Sequence, residues 1–64
     1  MTDAPMAEIV NRGAIARAAG RHRLDNPFYA SSSMPAATGE TIEVWLSKLN
    51  AWELGYLTED LMRA

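Results

Sequence analysis

A group of basic side chains in the first half of the chain is the feature best suited to chemistry. Arg17, Arg21 and Arg23 are close in sequence, His22 stands among them, and no acidic residue lies between Arg12 and Arg23. Guanidinium groups at this spacing can contact the phosphates of a nucleic acid or the carboxylates of an acidic partner. The alternative is a solvated helix end, where cations offset the helix dipole. The net charge of −2 favours this alternative, because nucleic-acid-binding domains are usually basic, so direct nucleic-acid binding is not the favoured function.

The acidic, hydroxyl and histidine side chains form no recognisable catalytic set. Glu40 and Glu43 fall near the start of a predicted helix, where carboxylates stabilise the helix dipole, and no base is close to the serines at 31–33. The sequence has no cysteine, and a single histidine is too little for a zinc site. We therefore predict a protein that is not an enzyme and that uses no metal and no cofactor.

Two tryptophans, Trp45 and Trp52, recur at helical spacing on one apolar stripe of the second half of the chain. The stripe is completed by Ile42, Leu46, Leu49 and Tyr56. Core packing is the simpler interpretation of the tryptophans, and an interface anchor is the alternative, because tryptophan is enriched at binding hot spots. A chain of 64 residues buries a small share of its surface, so two helices alone leave part of this stripe uncovered. We therefore expect a homodimer or a tightly bound partner.

The elements that position these residues are predicted to be two helices, at about residues 4–20 and 39–56. On the first helix Gly13, Ala16 and Gly20 share one face and form a strip without bulk, whereas Ile15 points outward as an exposed apolar residue. Because glycine inside a helix is destabilising, such a strip indicates close approach by a second element, most simply an aromatic side chain of the second helix. Gly20 is also a natural position for the helix to end.

The connection between the helices is predicted to be long and irregular. Asn26-Pro27 is a turn signal, and residues 30–38 are small and polar, which favours a flexible loop. After Gly55 the apolar phase drifts, and Thr58 is typical of a new helix start, which favours a separate short turn over 58–63. The predicted fold class is all-α: a single domain over residues 1–64, built as a helical hairpin with a short C-terminal turn, and dimeric.

Three motifs in order resemble the ribosome modulation factor superfamily, which also includes a small ciprofloxacin-resistance protein. They are Gly13-x-x-Ala16-x-x-x-Gly20 on the first helix, the Pro27-Phe28 turn, and Trp52-x-x-Gly55-Tyr56 on the second helix. The resemblance implies a helical hairpin in which glycines on one helix admit tryptophans from the other. It also implies docking on the ribosome. The chain differs from that family in its acidic balance and in the longer segment between Pro27 and Trp52. The resemblance therefore supports the predicted fold more strongly than the predicted activity.

Two functional hypotheses follow. The first is a regulatory protein like ribosome modulation factor, which docks on a large cytoplasmic assembly such as the ribosome. The alternative is an inhibitor encoded by a phage or mobile element, which blocks a bacterial protein complex through an acidic or aromatic surface. Glu53, Glu59 and Asp60 belong to that acidic surface, although solubility alone also explains them. No apolar run is long enough to span a bilayer, so we expect a cytoplasmic protein without a membrane partner.

Overall fold

The computed structural model describes residues 3–63, with side chains described from Met6 onward, and this part of the chain is helical without strands. Helix α1 spans Asp3–Ala18, α2 spans Pro35–Thr38 and α3 spans Ile42–Arg63. Between α1 and α2 lie three 3-10 turns, Arg23–Asp25, Pro27–Tyr29 and Ser31–Ser33. The predicted all-α class is confirmed. The segment predicted as a flexible loop over 30–38 instead holds a 3-10 turn and α2, and its mobility stays a prediction.

Helix α1 ends at Ala18, two residues earlier than predicted, and the left-handed Gly20 follows it. Gly20 has φ 81°, the amide of Arg21 donates to the carbonyl of Ala16 at 2.9 Å, and the amide of Gly20 donates to Arg17 at 3.0 Å. This pair of hydrogen bonds is the Schellman motif, which satisfies carbonyls that the last turn of a helix leaves free. No atom lies within 4 Å of where a Cβ on Gly20 would stand, so Gly20 ends the helix and takes no part in close packing.

Helix α3 begins later and runs longer than predicted. It begins after Gly39, whose φ of 80° ends α2, and the Thr41 hydroxyl oxygen caps its first turn by accepting from the Val44 amide at 3.2 Å. The prediction of a separate turn over 58–63 is wrong. Thr58 lies inside the helix, where its hydroxyl donates to the carbonyl of Leu54 at 2.7 Å and therefore starts no new helix.

Helices α1 and α3 meet at two glycines that face each other's main chain. A Cβ added to Gly13 would overlap the carbonyl oxygen of Trp52 and lie 3.0 Å from the amide nitrogen of Tyr56. A Cβ added to Gly55 would overlap the carbonyl oxygen of Val10. The predicted close approach at Gly13 is therefore present, but main chain makes it. The Trp52 ring, predicted to pack on the glycine strip, is buried and stacks on Tyr56 of its own helix with centroids 5.4 Å apart.

The segment between α1 and α3, residues 19–41, is tied to α3 by side-chain hydrogen bonds, and we call it the connector. Asn26 is only 3% exposed; its Nδ2 donates to the carbonyl of Leu49 at 3.2 Å, and its Oδ1 accepts from the Phe28 amide at 3.0 Å. Trp45 donates its indole N–H to the carbonyl of Phe28 at 2.9 Å. Trp45 therefore positions the connector, whereas the sequence predicted it against α1.

The core between these elements is small. Ala16, Leu49 and Trp52 are the buried hydrophobic residues of the described chain, and the molecule measures 37 × 27 × 14 Å. Much of α3 is not covered by the rest of the described chain, since Leu54, Leu61 and Met62 are 59%, 76% and 77% exposed, respectively. This exposed side of α3 is the first candidate surface.

Candidate docking surfaces

The outer side of α3 carries a row of exposed leucines, which we call the leucine stripe: Leu46, Leu54, Leu57 and Leu61. Their side chains are 42%, 59%, 40% and 76% exposed, respectively. Leu54, Leu57 and Leu61 are spaced i, i+3 and i+7, so they share one side of the helix. This side lies opposite the one that buries Leu49, Trp52 and Gly55.

The charges around the leucine stripe are acidic. Glu43 and Glu53 lie on the same side of α3 as the stripe. The cations of α3 point elsewhere: Lys48 pairs with Glu40 at 2.7 Å, and Arg63 pairs with Glu59 at 2.8 Å. The stripe is therefore an apolar surface with a negative border.

The three arginines predicted to contact phosphates or an acidic partner have different surroundings. The Nε of Arg17 donates to the Asp60 carboxylate at 2.6 Å, and this hydrogen bond raises the pKa of the guanidinium. Arg23 belongs to a 3-10 turn that His22 caps. Arg21 lines the wall of a cavity.

That cavity, which we call the arginine notch, is an open depression of about 270 Å³ between α1 and the connector. Helix α1 supplies Arg12, Ile15 and Ala16, at the spacing of one helix face, and Ala19 follows directly after the helix end. The connector supplies Arg21, Asp25 and Pro27, and Trp52 completes the lining. Periodicity showed that Ile15 is exposed but not that Arg12 and Arg21 flank it, because the position of the connector depends on contacts distant in sequence.

Two tyrosines add further ties between the connector and α3. Tyr56 donates its hydroxyl to the carbonyl of Arg21 at 2.8 Å, which fixes the main chain beside the arginine notch. Tyr29 donates its hydroxyl to the Glu53 carboxylate at 2.9 Å, beside the leucine stripe. Two motif residues, Phe28 and Tyr56, thus shape the connector, Phe28 through its main-chain carbonyl and Tyr56 through its hydroxyl.

The hydrogen bond to Glu53 raises the pKa of Tyr29 above its ordinary value of 10.0. The contribution of this hydrogen bond to stability is therefore complete below pH 10 and is lost as pH rises through the folded-state pKa of Tyr29. In Glu53→Gln we expect the Tyr29 pKa to fall towards 10.0, which NMR titration of the Tyr29 ring resonances would measure. An unchanged Tyr29 titration in this variant would show that Glu53 is not its partner, and Glu43→Gln is the control because Glu43 makes no side-chain contact with Tyr29.

Among the side chains of residues 6–63, no group of three or more His, Asp or Glu is placed to hold a metal ion. None of the described helices has the length and apolar character required to cross a bilayer. Comparison with models of known protein families, with curated proteins and with solved structures finds no match.

Proposed function

We propose that this chain is a non-enzymatic regulatory protein that docks on a large cytoplasmic assembly, such as the ribosome, through the leucine stripe. The observation that carries the proposal is the exposure of four leucines on one side of α3 in a molecule with three buried hydrophobic residues. Exposed apolar surface, such as Leu54, Leu57 and Leu61 form together, marks protein interaction sites. Full burial of one leucine contributes about 1.5–3 kcal/mol, so covering the stripe supplies several kcal/mol of binding free energy.

The acidic border of the stripe indicates which part of an assembly it meets. Glu43 and Glu53 would repel RNA phosphates, whereas they complement a basic protein surface. The resemblance of the Gly13, Pro27 and Trp52 motifs to ribosome modulation factor supports the ribosome as that assembly. Together these observations favour a basic protein of the assembly as the contact.

The proposal includes a hairpin of α1 and α3 that dimerises when free. An antiparallel pair of α3 helices would cover both leucine stripes. On docking, the assembly would then replace the second copy of the chain as the cover of the leucine stripe. Sedimentation velocity tests this directly: the wild type is expected to be dimeric at micromolar concentration, and Leu57→Lys monomeric with unchanged helicity.

Docking itself is tested by co-sedimentation with bacterial ribosomes at low salt. Wild-type protein is expected in the ribosomal pellet, and Leu57→Lys is expected to remain in the supernatant. Leu24→Lys is the matched control, because Leu24 is 67% exposed but lies on the connector away from the stripe. Equal pelleting of all three proteins, or of none, would contradict the ribosomal proposal.

The second candidate function is an inhibitor, encoded by a phage or mobile element, that covers a basic site on a bacterial protein complex. The negative border of the stripe favours it, because an apolar surface ringed by carboxylates suits such a site. In that case a nuclease-treated lysate should yield one protein complex with the wild type and none with Leu57→Lys, while ribosomes stay unbound.

A further inference from the structure

We propose that the arginine notch binds an acidic segment of the docking partner, with an apolar side chain in the cavity and carboxylates on Arg12 and Arg21. This inference rests on the proposed docking function and names a second point of contact for it. The leucine stripe lies on α3, whereas the notch is formed by α1 and the connector. The two surfaces therefore call for different chemistry in the partner.

The interior of the notch fits an aliphatic side chain. Ala16 and Ala19 have small side chains that leave space in the cavity, and Pro27 lines it from the connector. Ile15, which also lines the cavity, is 58% exposed. At about 270 Å³ the cavity is close to the lower end of ligand pockets and is ample for one leucine-sized group. An incoming apolar side chain would cover Ile15, which the fold leaves in water.

The two guanidiniums of the notch are available to a ligand. Within residues 3–63 the Arg21 side chain makes no salt bridge, and Arg12 pairs only with Glu8, at 3.3 Å, with both side chains largely exposed. An exposed pair of this kind contributes little stability and exchanges readily for a better-placed carboxylate. The Arg17 guanidinium is not available in this way, because it already pairs with Asp60.

The spacing of the cations indicates an extended segment. Arg12 and Ala19 are two helical turns apart, roughly 10 Å along α1, and Arg21 follows directly beyond Ala19. Three residues of an extended chain cover about the same distance. A segment with an apolar residue between acidic residues therefore reaches both guanidiniums while its apolar side chain enters the cavity.

The notch suits carboxylates better than RNA. Base recognition on single strands uses an open aromatic face, but Trp52 is 3% exposed and its ring is stacked on Tyr56. We therefore assign the notch to an acidic peptide segment.

The test is an NMR titration of the full chain with a capped peptide of sequence Glu-Glu-Leu-Glu-Glu. We expect shifts of the Ile15 and Ala19 methyl groups and of the Trp52 indole N–H, with binding about fivefold weaker in Arg21→Gln. Arg23→Gln is the matched control and should bind as the wild type does, because Arg23 does not line the notch. Absence of shifts at about 5 mM peptide, where even millimolar binding is visible, would overturn the proposal.

Two further probes complete the test. A capped Lys-Lys-Leu-Lys-Lys peptide and an oligouridine RNA should leave the notch resonances unmoved, and equal or stronger shifts with either would reject the acidic-peptide assignment. The ribosome assay separates this inference from the proposed function. If Leu57→Lys abolishes docking and Arg21→Gln has no effect, the docking function stands and the notch inference fails. If both variants dock like the wild type, both fail.

Discussion

Replacing Gly13 with alanine is expected to lower the free energy of unfolding by about 3 kcal/mol or more, as overpacking against rigid main chain does. The added methyl group would overlap the carbonyl oxygen of Trp52, and no side-chain rotation relieves a clash with main chain. A domain of this length has a total stability of roughly 3–10 kcal/mol, so the substitution should remove a large fraction of it. Gly55→Ala should behave alike, because its methyl group would overlap the carbonyl of Val10. Urea denaturation followed by circular dichroism measures both effects.

Gly20→Ala is the control for these substitutions. Gly20 has open space around it but a φ of 81°, so alanine there meets conformational strain of about 1–2 kcal/mol and no clash. We therefore expect Gly13→Ala and Gly55→Ala to lose clearly more stability than Gly20→Ala. If alanine at Gly13 were neutral or stabilising, as it is in an isolated helix, the close crossing of α1 and α3 would be disproved.

Replacing Asn26 with alanine is expected to cost about 2–3 kcal/mol, because it removes two buried hydrogen bonds and leaves the Phe28 amide without its acceptor. Asn26→Asp retains an acceptor for Phe28 but places a negative charge beside the carbonyl of Leu49, so it should be at least as destabilising at neutral pH. Chemical denaturation provides the measurement for both variants.

Asn50→Ala is the matched control, since Asn50 is exposed on α3 and its loss should change stability by no more than about 0.5 kcal/mol. A similar small effect at Asn26 would mean that the connector does not depend on this side chain. In that case the arginine notch would lose the support of its connector wall, because Arg21, Asp25 and Pro27 flank Asn26 in sequence.

The sequence predicted the helices and the importance of Gly13 because both depend on local patterns. Periodicity identifies the faces of a helix, and an interior glycine signals close approach. Periodicity could not identify the approaching group. At Gly13 this group is the main chain of Trp52, and at Gly55 it is the main chain of Val10. Contacts between residues this distant in sequence leave no periodic signal.

The error over residues 58–63 has a physical explanation. Leu57 and Leu61 do not lie on the helix side that carries Leu49 and Trp52. In the sequence alone, this change of side favours the end of a helix. In the structure α3 continues, and the change of phase marks a second, exposed apolar side. A drift of apolar phase without a helix-breaking proline thus indicates a new surface as readily as a new element.

The arginine notch was only half visible in the sequence. Arg21 was recognised as a candidate contact, and Ile15 as an exposed apolar residue, but nothing local joined them to Arg12. Their proximity depends on the connector folding back over α1. That path is set by Asn26, Trp45 and Tyr56, whose polar atoms each bond the connector or α3.

The paired glycines at the crossing also determine when the docking surfaces come into existence. Each interior glycine lowers the helix propensity of its segment, and short helices are marginal in water on their own. A peptide of residues 42–63 should therefore be mostly unstructured, and its leucines would not line up into a stripe. Helix formation and helix crossing then occur as one cooperative event. A nascent or cleaved chain would thus present no part of the proposed docking surface.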